Sequence, residues 1–176
     1  MEKLTNNLLK EIYEDEISFK YKPGKFKPTS THLNTNQTPF FAYDYLNFNI
    51  EKYSFNHPDF LLGDYKLYFS QVKKIAKIPL NNLINYHKRS DYFHLNKPNL
   101  QMSEILRKIL GSEKLQLEDL PTVGQFHLYT PNDGSRKAPR IHFFIGPLTV
   151  FYILLYDPYH EIYPVPHLIS ENTEAA

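Results

Sequence analysis

The sequence predicts an α+β fold in which helices pack on a three- to five-stranded antiparallel sheet that ends in a C-terminal meander. Three observations predict it. Apolar residues recur at helical spacing between Asp64 and Gly111. At Gln125 the period changes to two. Thr149 to Tyr156 is then apolar on both faces, as in a central strand or one covered by a helix. The chain has 176 residues, a length that suits one domain, and no internal repeat or domain boundary divides it.

Residues 1–17 are expected as a short helix, from the spacing of Leu4, Leu8 and Ile12 with Thr5 as an early cap. Residues 18–39 have no periodicity and read as an extended arm or loop. Lysines and aromatics interleave there, as Phe19-Lys20-Tyr21-Lys22 and Lys25-Phe26-Lys27. Such a pattern can hold phosphates and stack on bases. It serves equally as a solvated arm whose rings pack back on the domain. Phe40 to Phe55 is aromatic and β-prone, and His57-Pro58 marks a boundary.

Asp64 reads as the N-cap of a helix whose inner face holds Tyr65, Tyr68, Phe69, Val72, Ile75 and Ala76. Pro79 opens a second helix, with Leu80, Leu83, Ile84 and His87 on one side. Lys88 to Asn99 reads as a polar loop. Ser103 is the expected cap of a third helix that Gly111 stops. Strands follow at Gln125–Thr130, Arg140–Ile145 and Thr149–Tyr156, with Asn132-Asp133-Gly134 as a turn signal. The predicted helices cover one face of the sheet. The predicted core is Leu67, Phe69, Val72, Ile75, Leu83, Ile84, Ile105, Leu106, Ile109, Phe126, Leu128, Phe143, Ile145, Phe151, Ile153 and Leu155. Residues 170–176 are expected to fray.

Composition removes several function classes. A net charge of +1 argues against bulk electrostatic binding of nucleic acid, although it permits a local basic patch. With no cysteine, thiolate nucleophiles, disulfides and Cys-ligated metal centres are excluded. The first residues lack a signal-peptide pattern, and Phe143–Tyr156 is too short to span a bilayer. A cytoplasmic protein with no membrane partner is expected. Walker A, GxSxG and HExxH motifs are missing, and six glycines make a dinucleotide-binding fold a poor fit. No cofactor is expected.

Three constellations carry candidate chemistry. Arg136 and Lys137 adjoin a strand in which Arg140 and His142 share a face. Cleavage of RNA through its own 2′-OH needs a base, an acid and cations for the developing phosphorane charge. Lys137, Arg140, His142 and Tyr156 are the catalytic candidates, and Arg136, His127 and Tyr163 the substrate-binding ones. An ordinary charged strand face has the same residues. The second constellation is Asp157-Pro158-Tyr159-His160-Glu161, where Asp157 and His160 offer metal-type ligands. The plainer alternative is a capped turn, with Asp157 accepting backbone amides. The third is His57-Pro58-Asp59, where His57 is either a general base or a structural histidine.

His57-Pro58-Asp59-Phe60, Tyr68-Phe69, Arg140-Ile141-His142-Phe143-Phe144-Ile145, Phe151-Tyr152-Ile153-Leu154 and Asp157-Pro158-Tyr159-His160-Glu161-Ile162-Tyr163-Pro164 together resemble a recurring pattern. It occurs in small, mostly uncharacterised bacterial proteins, often linked with mobile elements. More loosely, the helices followed by a meander resemble RelE/ParE-type toxins, many of which cut mRNA on the ribosome. That resemblance implies a toxin or phage-defence component, a metal-independent endoribonuclease with RNA and a cognate antitoxin as partners. Two other readings stand beside it. One is a non-catalytic protein that binds another protein through exposed aromatics. The other is a metal-dependent hydrolase at Asp157 and His160.

Overall fold

A computed structural model describes residues 36–46, 48–86, 93–111, 113–129 and 137–164. The expected helix at 1–17, most of the 18–39 arm, His87, the Asn132-Asp133-Gly134 turn, Arg136 and the 170–176 tail lie outside the described residues.

The expected α+β fold is present. Five strands form one sheet: β1 (Phe40–Ala42), β2 (Phe93–Asn96), β3 (Val123–His127), β4 (Arg140–Ile145) and β5 (Val150–Asp157). Their order is β1-β5-β4-β3-β2. The β3-β4-β5 meander is antiparallel, as predicted, and β2 pairs antiparallel to β3. β1 pairs parallel to β5, so the sheet is mixed. β2 falls in the stretch expected as a polar loop. Its four residues alternate, with Phe93 fully buried, but the signal is too short to separate from the polar sequence around it.

Among the described residues three α-helices accompany the sheet: α1 (Leu62–Ile75), α2 (Leu80–Tyr86) and α3 (Leu100–Ile109). They cover both faces, a correction to the one-faced arrangement expected. Tyr68 and Ile75 of α1 and Leu80 and Leu83 of α2 pack with Phe126, Ile141, Phe143, Phe151 and Ile153. Met102, Ile105 and Leu106 of α3 pack on the other side with Val123, Phe144, Tyr152, Leu154 and Leu155. This explains why β4 and β5 are apolar on both faces. No helix among the described residues is long and apolar enough to cross a membrane.

Two caps differ from expectation by a few residues. Asp64 stands in the first turn of α1 rather than before it. Its carboxylate reaches back to accept the Leu61 N–H at 3.0 Å, while its own N–H donates to the Leu61 carbonyl. α3 is capped by Asn99, whose side-chain oxygen accepts the Met102 N–H at 2.8 Å. Ser103 instead donates its hydroxyl to the Asn99 carbonyl. Gly111 ends α3 at φ +64°, as its position predicts.

A bulge sets the faces of β5. Phe143 pairs with Ile153 but His142 pairs with Leu155, so Leu154 is the extra residue. Leu154 and Leu155 therefore both point into the α3 core, and Tyr156 returns to the α1–α2 side. Asp157 is thereby turned to the same face as His142, where a regular strand would have turned it away.

Candidate functional site

The polar groups of the sheet end collect in two places, one on each face. On the α3 face, β4 and β5 bring His142 and Asp157 together. Both side chains are fully buried, with His142 Nε2 3.6 Å from Asp157 Oδ2. Asp157 also closes the turn that follows it. Oδ1 accepts the N–H of Tyr159 and of Glu161, and Oδ2 accepts the N–H of Ile162 at 2.9 Å. Burial is the largest influence on the Asp157 carboxyl and would raise its pKa. The neighbouring His142 ring, 3.6 Å away, and the Ile162 and Glu161 amides outweigh it and hold the pKa below the ordinary value.

The surroundings of this pair are closed. Tyr163 lies against the His142 ring with centroids 5.9 Å apart, and donates its hydroxyl to the Lys97 carbonyl. Gln125 Nε2 lies 3.4 Å from His160 Nε2. His160 sits in the left-handed region at φ 56°. Burial first, and then the charge of Arg140, lower its pKa to about 4, so near neutral pH the ring is uncharged and accepts from the Gln125 amide. Asn99 Nδ2 donates to the Ile162 carbonyl at 2.5 Å, and Lys52 pairs with Glu161 at 2.7 Å. Arg140 donates to the carbonyls of Ala138 and Pro139. His127, half-buried, lies opposite Arg140 in the ladder.

On the other face, the loop before α1 meets the end of β5. Lys137 Nζ donates to Asp64 Oδ2 at 2.8 Å and to the Asp59 carbonyl at 2.6 Å. It also stands 5.7 Å from the centre of the Tyr129 ring. Tyr156 is fully buried and donates its hydroxyl to the same Asp59 carbonyl at 3.3 Å. Burial, first among several influences, raises its pKa. His57 Nδ1 accepts the Asp59 N–H at 3.1 Å, and the Tyr159 hydroxyl donates to Asp59 Oδ2. The His57 ring touches those of Tyr156 and Tyr159. Asp59 and Tyr159 are the exposed members, at 42% for the Asp59 side chain and 39% for Tyr159.

The predicted catalytic set is thus divided by the sheet. Arg140, His142, His127 and Tyr163 belong to the α3 side, whereas Lys137 and Tyr156 belong to the α1 side. Asp157 and His160 are neighbours in the buried turn. Among the described residues no group of three or more His, Asp or Glu side chains is placed to hold a metal ion. Sequence reading singled out His57-Pro58-Asp59 and Asp157-Pro158-Tyr159 separately. It had no signal that the two segments, about a hundred residues apart, touch through Tyr159 and Asp59.

A third feature lies on the outside of α1. Leu62 is 74% exposed, Phe69 60%, Leu61 60% and Tyr65 40%. Leu62, Tyr65 and Phe69 follow one another at helical spacing and form a single apolar row. Phe69 and Leu67 were expected in the core. Both are exposed, because the buried face of α1 is set by Asp64, Tyr68, Gln71 and Ile75.

Comparisons with protein-family models, curated proteins and solved structures find no match to this chain.

Proposed function

We propose that this protein is an interaction module that holds a partner protein on the outer face of α1. The supporting observation is the apolar row of Leu62, Tyr65 and Phe69, extended by Leu61, on a helix whose opposite face already packs on the sheet. Leu62 and Phe69, mostly left in water, forgo much of the roughly 1.5–3 kcal/mol that full burial of such a side chain is worth. Contiguous exposed apolar surface of this kind is characteristic of binding sites. The contrast with the polar clusters also favours it. His142 and Tyr156 have no surface, and Lys137 is engaged by Asp64 and Asp59.

The test is affinity capture from the source organism with the wild type and the Leu62→Glu, Phe69→Glu double variant in parallel. A protein retained by the wild type and lost by the variant, with thermal stability unchanged, supports the reading. Identical captured sets would sink it.

A second reading has one observation behind it. His57, Asp59 and Tyr159 form a partly exposed acid–base cluster with Lys137 and Tyr156 directly behind. Its chemistry suits metal-free RNA cleavage by a toxin or phage-defence component, with an antitoxin as its partner. His57 Nδ1 accepts from the backbone, which leaves Nε2 for proton exchange. Induced expression in a bacterial host with total RNA examined in parallel decides it. Growth arrest with cut RNA, abolished by His57→Ala, favours this reading. Normal growth with intact RNA removes it.

A further inference from the structure

The apolar row of α1 does not stand alone. Lys66 and Lys73, seven residues apart, lie on the same solvent-facing side, and Lys77 continues their line just past the helix end. All three are exposed, and among the described residues none is held in an ion pair. The outer surface of α1 is therefore an apolar stripe with a basic stripe beside it. Asp64, the acidic residue of this helix, is turned inward to Lys137.

The chain carries the complement of that surface. In residues 2–17 the charged groups are Glu2, Glu11, Glu14, Asp15 and Glu16 against Lys3 and Lys10. The apolar residues Leu4, Leu8 and Ile12 fall at helical spacing, with Glu11 and Asp15 alongside them. An apolar row flanked by acids matches an apolar row flanked by lysines.

The attachment point is also suitable. The described chain begins at Asn36, whose side-chain oxygen accepts from Asn81 Nδ2 at 3.1 Å. Gln37 follows, its carbonyl accepting the Leu80 N–H at 3.0 Å. Both contacts are at the start of α2, immediately after the C-terminal end of α1. α1 is about 20 Å long. Residues 18–35 can span up to roughly 60 Å when extended. Segment 4–17 can therefore reach any part of the α1 surface.

We infer that the outer face of α1 is the docking surface for this chain's own segment 4–17, seated through Leu4, Leu8 and Ile12 on Leu62, Tyr65 and Phe69 and through Glu11 and Asp15 on the lysine row. The inference rests on the reading of that face as a protein-binding surface. It adds that an outside partner must displace the segment, and so shares its acidic, apolar-anchored chemistry.

The experiment is carbodiimide crosslinking of the full chain, which joins a carboxylate to a lysine amine in direct contact, read by mass spectrometry. The expected result is crosslinks from Lys66, Lys73 or Lys77 to residues 11–16 within the monomer. They should fall at least tenfold in Glu11→Lys, Asp15→Lys. They should return, with lysine and acid exchanged, when Lys66→Glu, Lys73→Glu is added. Crosslinks found only in covalent dimers overturn the inference in favour of a second copy. None from these lysines to residues 11–16 overturns it outright. In either case the parallel capture with Leu62→Glu, Phe69→Glu still reports separately on whether the face binds a partner at all.

Discussion

Gly124 lies directly opposite Phe143 in the ladder, and a Cβ built on it would come within 2.1 Å of Phe143 Cζ. Side chains opposite one another across an antiparallel pair are close enough that a large ring takes all the room. Gly124→Ala should therefore cost about 1–3 kcal/mol, the usual range for overpacking a filled core. Combining it with Phe143→Leu should recover part of the loss, and denaturant unfolding of the two single variants and the double variant measures both. Leu148 and Thr149 make the same point about backbone. Both have positive φ, 55° and 61°, in the four-residue connection between β4 and β5. A side chain with a Cβ is strained in that left-handed region, which glycine and asparagine adopt at the least cost. Leu148→Asn is expected to raise stability by about 1 kcal/mol, seen as a higher thermal midpoint.

At the scale of elements, the link between the approach to β4 and the start of α1 is Lys137 with Asp64. The pair is well shielded, with side chains 19% and 5% exposed. Removing one partner strands the other charge near the interior, whereas removing both does not. A double-mutant cycle of Asp64→Asn and Lys137→Met should give a coupling of about 1–3 kcal/mol, and additive losses would show that the two act independently. The elements were legible in the sequence to different degrees. β4 was read with its bounds as they stand, because Arg140–Ile145 is a β-prone run set between Pro139 and Gly146. α1 was placed to within three residues at its start, but its buried face was read too broadly. Aromatics at 65 and 69 fit a helical stripe by type, yet the face turned to the sheet is that of Tyr68 and Ile75, with Val72 at its edge. β1, three residues long, owes its existence to β5, since so short an edge segment gains its hydrogen bonds only from the partner strand.

For the molecule as a whole, the two buried groups of the sheet end predict how stability follows pH. His160 has a pKa lowered to about 4 in the folded state, against an ordinary 6.5. Between those values the unfolded chain binds the proton and the folded one does not, so stability falls as pH drops through that window. Asp157 is lowered from an ordinary 3.8, so its contribution is complete above that value and disappears at still lower pH. The thermal midpoint is expected to decline from pH 6.5 toward pH 4 and then more steeply. His160→Asn, which suits the left-handed backbone there, should flatten the first decline and leave the second. Midpoints recorded every half unit from pH 7 to 3 provide the check.

The sequence by itself determined the α+β class, the C-terminal meander and the punctuation by Pro79 and Gly111, because period and backbone preference are local properties. It also fixed what chemistry is excluded, since no fold can supply a thiolate to a chain without cysteine. Only the tertiary structure decided which side chains meet. The Leu154 bulge turned Asp157 onto His142, and the sheet put Lys137 and Tyr156 on the side away from them. Coverage of both faces then buried the histidine and left the apolar row of α1 outside. These outcomes depend on strand register and on contacts between residues far apart in the chain, which hydrophobic spacing does not encode.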